Sequence, residues 1–265
     1  MTPIDIRQMS RIIFQMSSRA IQERYRGSIL GVLWTILTPI FMLAVYTFIF
    51  TKVFTVRWGQ DVSDVGTLQF SALLFVGLSL YSFLNEVVLQ GGSIIIANSN
   101  YVKKVVFPLT TLPVILTISA LFQLTVSLFV LIAFQGFISQ KLELTIFIAP
   151  LILLPFIFLV LGVSWIVASL GTFIRDLNQI LTPIITALLF LGPILYPIES
   201  LPEQIHFFLY LSPLTVPVEQ LREVIIWGNH PNWSHLCLYT LASVGTFFLG
   251  NIWFRKTQKG FADVL

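Results

Sequence analysis

Few side chains in this chain have the identity and spacing that catalysis or metal binding needs. The chain contains no Gly-x4-Gly-Lys-Ser/Thr loop, which excludes ATP hydrolysis by that route. It also lacks the His-Glu-x-x-His pattern of zinc peptidases and the Gly-x-Ser-x-Gly turn of serine hydrolases. His206, His230 and His235 have no ligand-like spacing with the single cysteine, Cys237. The sequence therefore argues against an enzyme of these types and predicts no metal centre.

Three acids remain as candidates for a polar site. Asp61 and Asp64 lie in a polar loop, where two solvated carboxylates are the favoured interpretation. Glu86 is the only formal charge that stands out within a strongly apolar stretch. An ion-coupled carrier usually needs several ionisable groups inside the membrane, so one acid gives that function thin support. Glu86 is either an interfacial carboxylate near water or a basic partner, or it lines a polar conduit.

The elements that would position these residues are membrane-spanning helices. Of 265 residues, 56% are hydrophobic and 10% are charged, whereas soluble domains carry about 25% charged residues. A soluble fold of this composition would expose large apolar patches. We therefore predict an all-α integral membrane protein in which residues 29–265 form one six-helix transmembrane domain. The predicted spans are Ile29–Phe50, Leu68–Leu89, Phe107–Phe137, Leu144–Gly171, Ile180–Tyr196 and Leu236–Trp253.

Spans three and four are longer than a bilayer requires, so we expect them to tilt, kink or project. Pro108 and Pro113 in one, and Pro150 and Pro155 in the other, are the predicted bending points. Six spans place both termini on one side, together with most of the basic residues, and that side is predicted to be cytoplasmic. Five or seven spans would separate the basic termini. The basic residues on the predicted cytoplasmic side are Arg7, Arg11, Arg19, Arg24, Arg26, Lys103, Lys104, Arg175, Arg255, Lys256 and Lys259.

Residues 1–28 are predicted to form a cytoplasmic amphipathic helix that lies flat on the inner membrane surface. Arg7 and Arg11 fall on a face separate from its apolar stripe. Periodicity favours a simple lipid-interface anchor, and a docking surface for a cytoplasmic partner is the sharper alternative. The stripe consists of Ile6, Met9, Ile13, Met16 and Ala20, at spacings of three and four.

The proline-rich segment between spans five and six predicts two short amphipathic helices at the outer face. The first follows Pro202, and the second has Pro217 in its first turn. They either re-enter the membrane or rest on the lipid headgroups, and the pattern favours neither. Glu219, Arg222 and Glu223 lie away from the apolar stripe of the second helix. The two stripes are Ile205, Phe208 and Leu209, and then Val218, Leu221 and Ile225.

Five motifs stand out in order along nearly the whole chain. They are Arg24–Trp34 with Leu37-Thr38-Pro39, Asn98–Pro108 with Leu112-Pro113, Phe173–Leu177, Pro193–Pro197 and Phe261-Ala262-Asp263. In this order they resemble the motifs of type-2 ABC exporter permeases. More narrowly, they resemble the polysaccharide and polyol-phosphate exporters, which include the Wzm-type O-antigen, capsule and teichoic-acid permeases. Each motif alone is modest, and together they are specific for the family and weak on the cargo.

The resemblance implies a homodimer of this chain bound to two copies of a separate cytoplasmic ABC ATPase. ATP and magnesium would bind to that ATPase, so no cofactor is expected in this chain. The amphipathic helix and the loop after span two would contact the ATPase, and the two outer helices would form a gate. The implied ATPase-coupling residues are Arg11, Asn98, Asn100, Tyr101, Lys103 and Lys104.

A substrate route follows from this scheme. A lipid-linked glycan would enter laterally at the inner leaflet, its anionic head attracted by Arg24, Arg26 or Arg175, although Arg175 and Asp176 equally suit an intrachain brace. Spans one and five would border the twofold axis. Aromatic rings near the outer interface are by default an interfacial belt, and they would also suit stacking on sugars. The predicted channel and exit residues are Glu86, Tyr196, Phe208 and Tyr210.

The sequence thus predicts the permease subunit of an ATP-driven transporter that exports a lipid-linked polysaccharide, foremost O-antigen, across the bacterial inner membrane. Teichoic-acid or capsule export is the near alternative. An intramembrane enzyme that acts on lipid-linked sugars is a more distant one, and it would need paired acids at one membrane depth. An ion-coupled carrier is a third, and its transport would depend on an ion gradient instead of a bound ATPase.

Overall fold

The computed structural model describes residues 6–49, 67–103, 107–141, 143–198 and 201–265, and these residues contain helices and no strands. Lys104, Asp61 and Asp64 lie outside the described residues. The helices are α1 (Ile6–Glu23), α2 (Trp34–Phe48), α3 (Thr67–Ala97), α4 (Ser99–Lys103), α5 (Thr111–Ser139), α6 (Ala149–Phe173), α7 (Leu177–Leu191), α8 (Glu203–Tyr210), α9 (Thr215–Arg222), α10 (Trp233–Thr257) and α11 (Phe261–Val264).

Five helical segments of the described chain are long and apolar enough to cross a membrane, which makes this a multi-pass membrane protein. The predicted fifth span corresponds to α7, an apolar helix of 15 residues. At 1.5 Å per residue α7 is about 22 Å long, shorter than a hydrocarbon core of about 30 Å. The five segments are Gly31–Phe48, Leu68–Ala97, Thr111–Ser139, Leu144–Phe173 and Trp233–Val264.

The prolines of the predicted spans three and four lie mainly at helix starts. Pro108 precedes α5, where its carbonyl accepts hydrogen bonds from the backbone N–H and the hydroxyl of Thr111. Pro113 and Pro150 fall in the first turns of α5 and α6, where a helix has no use for a backbone donor. Of the four predicted bending points, only Pro155 lies in a helix interior. Three of the four prolines therefore lie at the starts of these two helices, and one lies where it could bend a helix.

Small residues bring the central helices into close contact. At the crossing of α3 and α6, a Cβ atom built on Gly171 would lie 1.9 Å from the carbonyl oxygen of Gly92. At the crossing of α6 and α10, a Cβ atom on Gly250 would lie 2.2 Å from the carbonyl oxygen of Gly162. Close backbone approach at small residues is the usual way in which membrane helices associate, because lipid gives apolar side chains little reason to leave it. The core of the bundle is therefore built on α3 and α6.

Helices α2 and α7 lie at the edge of this core and leave broad apolar faces uncovered. Phe41 and Phe48 of α2 and Phe190 of α7 are each about 60% exposed. The amphipathic helix α1 lies against α5. In α1 the predicted stripe is half-buried at Met9, Ile13, Met16 and Ala20, whereas Arg7 and Arg11 are exposed. The predicted separation of the two faces of α1 is confirmed.

Both short helices predicted after α7 are present as α8 and α9. Pro217 is the third residue of α9, which continues directly into a π-helical turn, Glu223–Trp227. Two carbonyl oxygens of this turn accept hydrogen bonds from other helices: that of Val224 from the Thr145 hydroxyl at 2.8 Å, and that of Ile226 from the Gln135 amide at 3.4 Å. These bonds attach α9 and the π-helical turn to the end of α5 and to the residues before α6.

Candidate functional site

Most of the predicted site residues fall at two opposite ends of the bundle, and Glu86 lies between them on α3. Helix α3 spans 31 residues, about 46 Å, and connects them. Its last turn leads into α4, and we call this the α4 end. Near its first turns, Leu73 contacts Arg222 of α9, and we call this the α9 end. The coupling residues and the cationic residues belong to the α4 end, and the aromatic exit residues belong to the α9 end.

Asn98 forms the joint between α3 and α4. Its side-chain amide donates to the carbonyl oxygen of Ile94 at 2.8 Å, and its own carbonyl accepts from the N–H of Tyr101 at 2.9 Å. The first bond satisfies a carbonyl at the end of α3, and the second begins the next helical turn. Tyr101 then stacks on Phe107 with ring centroids 4.7 Å apart. The polar residues of α4 are thereby held in a fixed turn.

The end of the chain packs beneath α4. Phe261 of α11 is fully buried, with edge-on ring contacts to Phe254 at 5.4 Å and to Phe173 at 5.7 Å. The Lys103 ammonium donates to the carbonyl oxygen of Leu265. The sequence motif that contains Phe261 showed a resemblance but gave no sign of this packing role. Helix α4 is therefore supported by residues more than 150 positions away in sequence.

Helices α1 and α4 face a common cavity of about 560 Å³, which is also lined by α3 and α5. Met16 and Ala20 of α1 line it together with Asn98 and Tyr101, two predicted coupling residues. Arg11, Asn100 and Lys103 are exposed instead. On the α1 rim, Glu23 accepts a hydrogen bond from Arg19 at 2.8 Å, and this bond raises the pKa of the Arg19 guanidinium above its ordinary value.

The structure joins two residues that the sequence assigned to different roles. Arg24, predicted to attract substrate, forms an ion pair with Glu86, predicted to line a conduit. The two side chains are 28% and 19% exposed. Glu86 thus has the basic partner that the interfacial interpretation required, and it also lines a cavity. The pair ties the end of α1 to the middle of α3.

Two residues to which the sequence assigned no site role, Tyr25 and Gln123, complete this connection. The Tyr25 hydroxyl donates to the side-chain oxygen of Gln123 at 3.1 Å, and the Gln123 amide donates to the carbonyl oxygen of Thr35 at 3.2 Å. Gln123 therefore connects the residue after Arg24 with both α5 and α2. A glutamine in an apolar span was the one available signal, because a buried amide must find partners.

The other two predicted substrate-attracting residues stand apart from this ion pair. Arg26 is exposed in the turn after α1. Arg175 is exposed in the turn between α6 and α7, next to exposed Asp176, and no ion pair joins either of these two to a described residue. Arg26 and Arg175 therefore keep a solvent- or headgroup-facing charge.

Arg222 occupies a different environment from the one predicted. The sequence placed it on the polar face of the second outer helix, and that placement is wrong, since only 3% of its side chain is exposed. Its guanidinium donates to the carbonyl oxygens of Leu73 at 3.1 Å, Pro193 at 2.5 Å and Ile194 at 2.9 Å, and to Glu219 at 3.2 Å. Arg222 therefore fastens α9 to α3 and to the segment after α7.

The predicted exit aromatics lie near this junction. The Tyr196 hydroxyl donates to the carbonyl oxygen of Phe190 at 2.7 Å, which closes the segment after α7 back onto that helix. Phe208 is 69% exposed, and the half-exposed Tyr210 ring lies edge-on to His235 with centroids 5.1 Å apart. An exposed aromatic row suits both a lipid belt and a sugar path, so its role stays a prediction.

Comparisons with known proteins find a matching family and relatives that share one name. A family described as ABC-2 type transporter matches residues 11–226, from α1 through the π-helical turn. An O-antigen export system permease protein RfbA of Myxococcus xanthus is 27% identical over 200 residues, which are 76% of this chain and 74% of that protein. A protein of the same name from Klebsiella pneumoniae is 24% identical over 256 residues, 96% of this chain and 95% of that protein.

Proposed function

This chain belongs to the ABC-2 type transporter family, and we propose that it is the permease subunit of an ATP-driven exporter of a lipid-linked cell-surface polysaccharide, foremost O-antigen. The observation that carries the proposal is similarity over 96% of the chain to a protein named as an O-antigen export permease. The family is one of transporter permeases, not of enzymes. The proposed substrate class rests on the names of the relatives, and the proposed energy source rests on the family to which the chain belongs.

A separate ATPase would supply the energy, because the sequence has no phosphate-binding loop of its own. Its docking surface would be the α4 end, where Arg11, Asn100 and Lys103 are exposed. The contacts of Asn98 with Ile94 and of Phe261 with Phe254 make α4 a fixed extension of the bundle. A push on α4 would therefore move α3 instead of being absorbed by a loose loop.

The working unit would be a homodimer in which α2 and α7 border the twofold axis. Both helices leave apolar faces uncovered in the described chain, as Phe41 and Phe190 show. Membrane lipid or a second copy would cover these faces, and the export path would form where the copies separate. Few fixed charges along such a path would let a long polymer move without being trapped.

A six-span topology in the bacterial inner membrane, with both termini cytoplasmic, completes the proposal. Helix α7 is short for a span, and the buried residues Pro193 and Ile194 after it would complete the crossing inside protein. Irregular backbone is tolerated at membrane depth when protein surrounds it. Helices α8 and α9 would then re-enter from the outer face and control the exit. Arg26 and Arg175, both exposed, would meet the anionic head of the lipid carrier at the inner face.

Reconstitution with a candidate ABC ATPase from the same organism tests the proposal. We expect the two to co-purify, and we expect the permease to stimulate ATP turnover in lipid discs. Replacing Lys103 and Lys104 together by glutamate should lower the stimulation roughly fivefold or more, which corresponds to a coupling free energy of about 1 kcal/mol. The matched control is Lys141→Glu, a charge reversal at an exposed lysine just after α5, at the α9 end.

Two results would count against the proposal. If the chain does not co-purify with that ATPase, the exporter assignment is wrong. If the double lysine variant inserts normally and stimulates turnover as well as Lys141→Glu does, the α4 end is not the docking surface.

A further inference from the structure

A second cavity, of about 310 Å³, lies between α2, α3 and α5 within a single chain. It extends along α3 from Phe75 to Glu86, about 16 Å at 1.5 Å per residue. The Arg24–Glu86 ion pair lies at one end of it. Arg24 also lines the larger cavity under α1, so it borders both spaces. A volume near 300 Å³ is at the lower bound of small-molecule sites.

Hydroxyl and amide groups dominate the polar part of the wall. Gln123 supplies the amide. A polar cavity within apolar helices is costly unless water or a ligand completes its hydrogen bonds, so this wall is built for a hydrogen-bonding occupant. The hydroxyl groups belong to Tyr25, Thr38, Tyr46, Ser79, Ser82 and Ser127.

The wall carries little net charge and is rich in acceptors. The one cation, Arg24, already faces a carboxylate, Glu86. The Ser127 hydroxyl donates a hydrogen bond to the backbone carbonyl oxygen of Gln123 at 3.0 Å, so its lone pairs remain as acceptors. A phosphodiester group offers only acceptors and would find no unpaired cation in this wall, whereas sugar hydroxyl groups can donate hydrogen bonds to its acceptors. The aromatic rings of Tyr46 and Phe75 add apolar surface for the carbon face of a sugar ring.

We infer that this cavity binds one uncharged sugar residue of the exported glycan, and that the permease thereby favours neutral glycans over polyol-phosphate polymers. The inference rests on the proposed function, since it names the part of the cargo that the chain recognises. An acyl chain is a poor occupant, because it would leave the hydroxyl groups of Thr38, Tyr46, Ser79 and Ser82 facing hydrocarbon. Glu86 then has two effects: it accepts hydrogen bonds from sugar hydroxyl groups, and it neutralises the charge of Arg24 that would otherwise attract phosphate.

Cysteine protection tests the inference directly. The only native cysteine, Cys237, is exposed on α10, so Cys237→Ser gives a cysteine-free background. Ser82 is an exposed residue that lines the cavity, and Ser82→Cys is nearly isosteric. The variant is placed in lipid discs free of sugar detergents. The rate of maleimide labelling is then measured in the presence of methyl mannoside, methyl rhamnoside or glycerol 3-phosphate. We expect at least one methyl glycoside to slow labelling severalfold and glycerol 3-phosphate to have no effect. Cys237 of the unmodified chain, labelled alike, should respond to none.

Glu86→Gln in the same background gives the complementary test. It leaves Arg24 unpaired, so glycerol 3-phosphate should now slow labelling of the cysteine at position 82. If that cysteine labels too slowly to time, hydrogen–deuterium exchange of wild-type residues 79–86 with the same probes replaces the measurement. Protection by glycerol 3-phosphate alone in the wild-type cavity, or by no probe in either assay, overturns the inference. If either of these two results is obtained while the permease still stimulates ATP turnover, the sugar site is refuted and the proposed exporter function still stands.

Discussion

Replacing the buried Arg222 by methionine should destabilise the folded chain by about 3–5 kcal/mol, the usual cost of removing one partner of a buried charged interaction. Three backbone carbonyls, those of Leu73, Pro193 and Ile194, would lose their guanidinium donor. Hydrogen bonds to a charged group contribute about 1.5–3 kcal/mol each, so simple addition would give more. The expected total of about 3–5 kcal/mol is smaller than that sum because methionine also removes the desolvation cost of burying a cation.

The assay is reversible unfolding of the purified chain in mixed micelles, with the free energy followed as denaturing detergent is added. Arg222→Lys should lie between wild type and Arg222→Met, because an ammonium group is a compact donor and cannot span three carbonyls in the way that a planar guanidinium does. Glu219→Gln is the matched control and should cost about 1 kcal/mol or less, since the Glu219 side chain is 23% exposed and the variant leaves the three backbone carbonyl partners of Arg222 in place. A cost for Arg222→Met within about 1 kcal/mol of zero, or one equal to that of Glu219→Gln, would refute the role assigned to Arg222.

Two other substitutions test the packing. Gly171→Ala places a methyl group against the backbone carbonyl oxygen of Gly92, so the yield of folded protein should fall sharply. The control Gly245→Ala, where nothing lies within 4 Å of the added atom, should fold normally. Equal yields of the two variants would contradict the close crossing of α3 and α6. Phe261→Ala should cost about 3–5 kcal/mol as a large-to-small change at a fully buried aromatic residue, and it should lower ATP stimulation even in the fraction that stays folded, because α4 loses its support. Full stimulation by folded Phe261→Ala would show that α11 only stabilises the chain.

Hydropathy and proline placement predict most of the fold, because both act locally. The five long segments match predicted spans, since a stretch of apolar residues long enough to cross a bilayer has few other stable places to be. Helices α8 and α9 were predicted from Pro202, Pro217 and the spacing of apolar residues between them. The length of α7 was not predicted. Its apolar run continues past Leu191, but the backbone leaves the helix at Gly192, whose dihedrals are extended.

Contacts between residues distant in sequence could not be predicted from patterning alone. Arg24 and Glu86 are 62 positions apart, and neither position carries a local sign of the other. Arg222 was predicted on a polar face because charge on an amphipathic helix usually faces water. Its partners are backbone carbonyls, which every residue has, so composition cannot show where a guanidinium will find three of them together. The sequence therefore identifies which residues are unusual, and the structure shows which of them act as pairs.

Two charged attachments to α3, Arg24–Glu86 near its middle and Arg222 at the α9 end, differ in how easily they can break, and this difference suggests which end moves. The Arg24–Glu86 pair is partly exposed, and pairs of that kind contribute about 1 kcal/mol or less after solvent screening. Arg222 is buried, and loss of its contacts costs several times more. Under the proposed function, a motor acting on α4 would separate α1 from α3 at Arg24 while α9 stays attached to α3 through Arg222. Force would then pass along α3 as a rigid element, and the helices that change their neighbours should be the loosely held α1, α2 and α7.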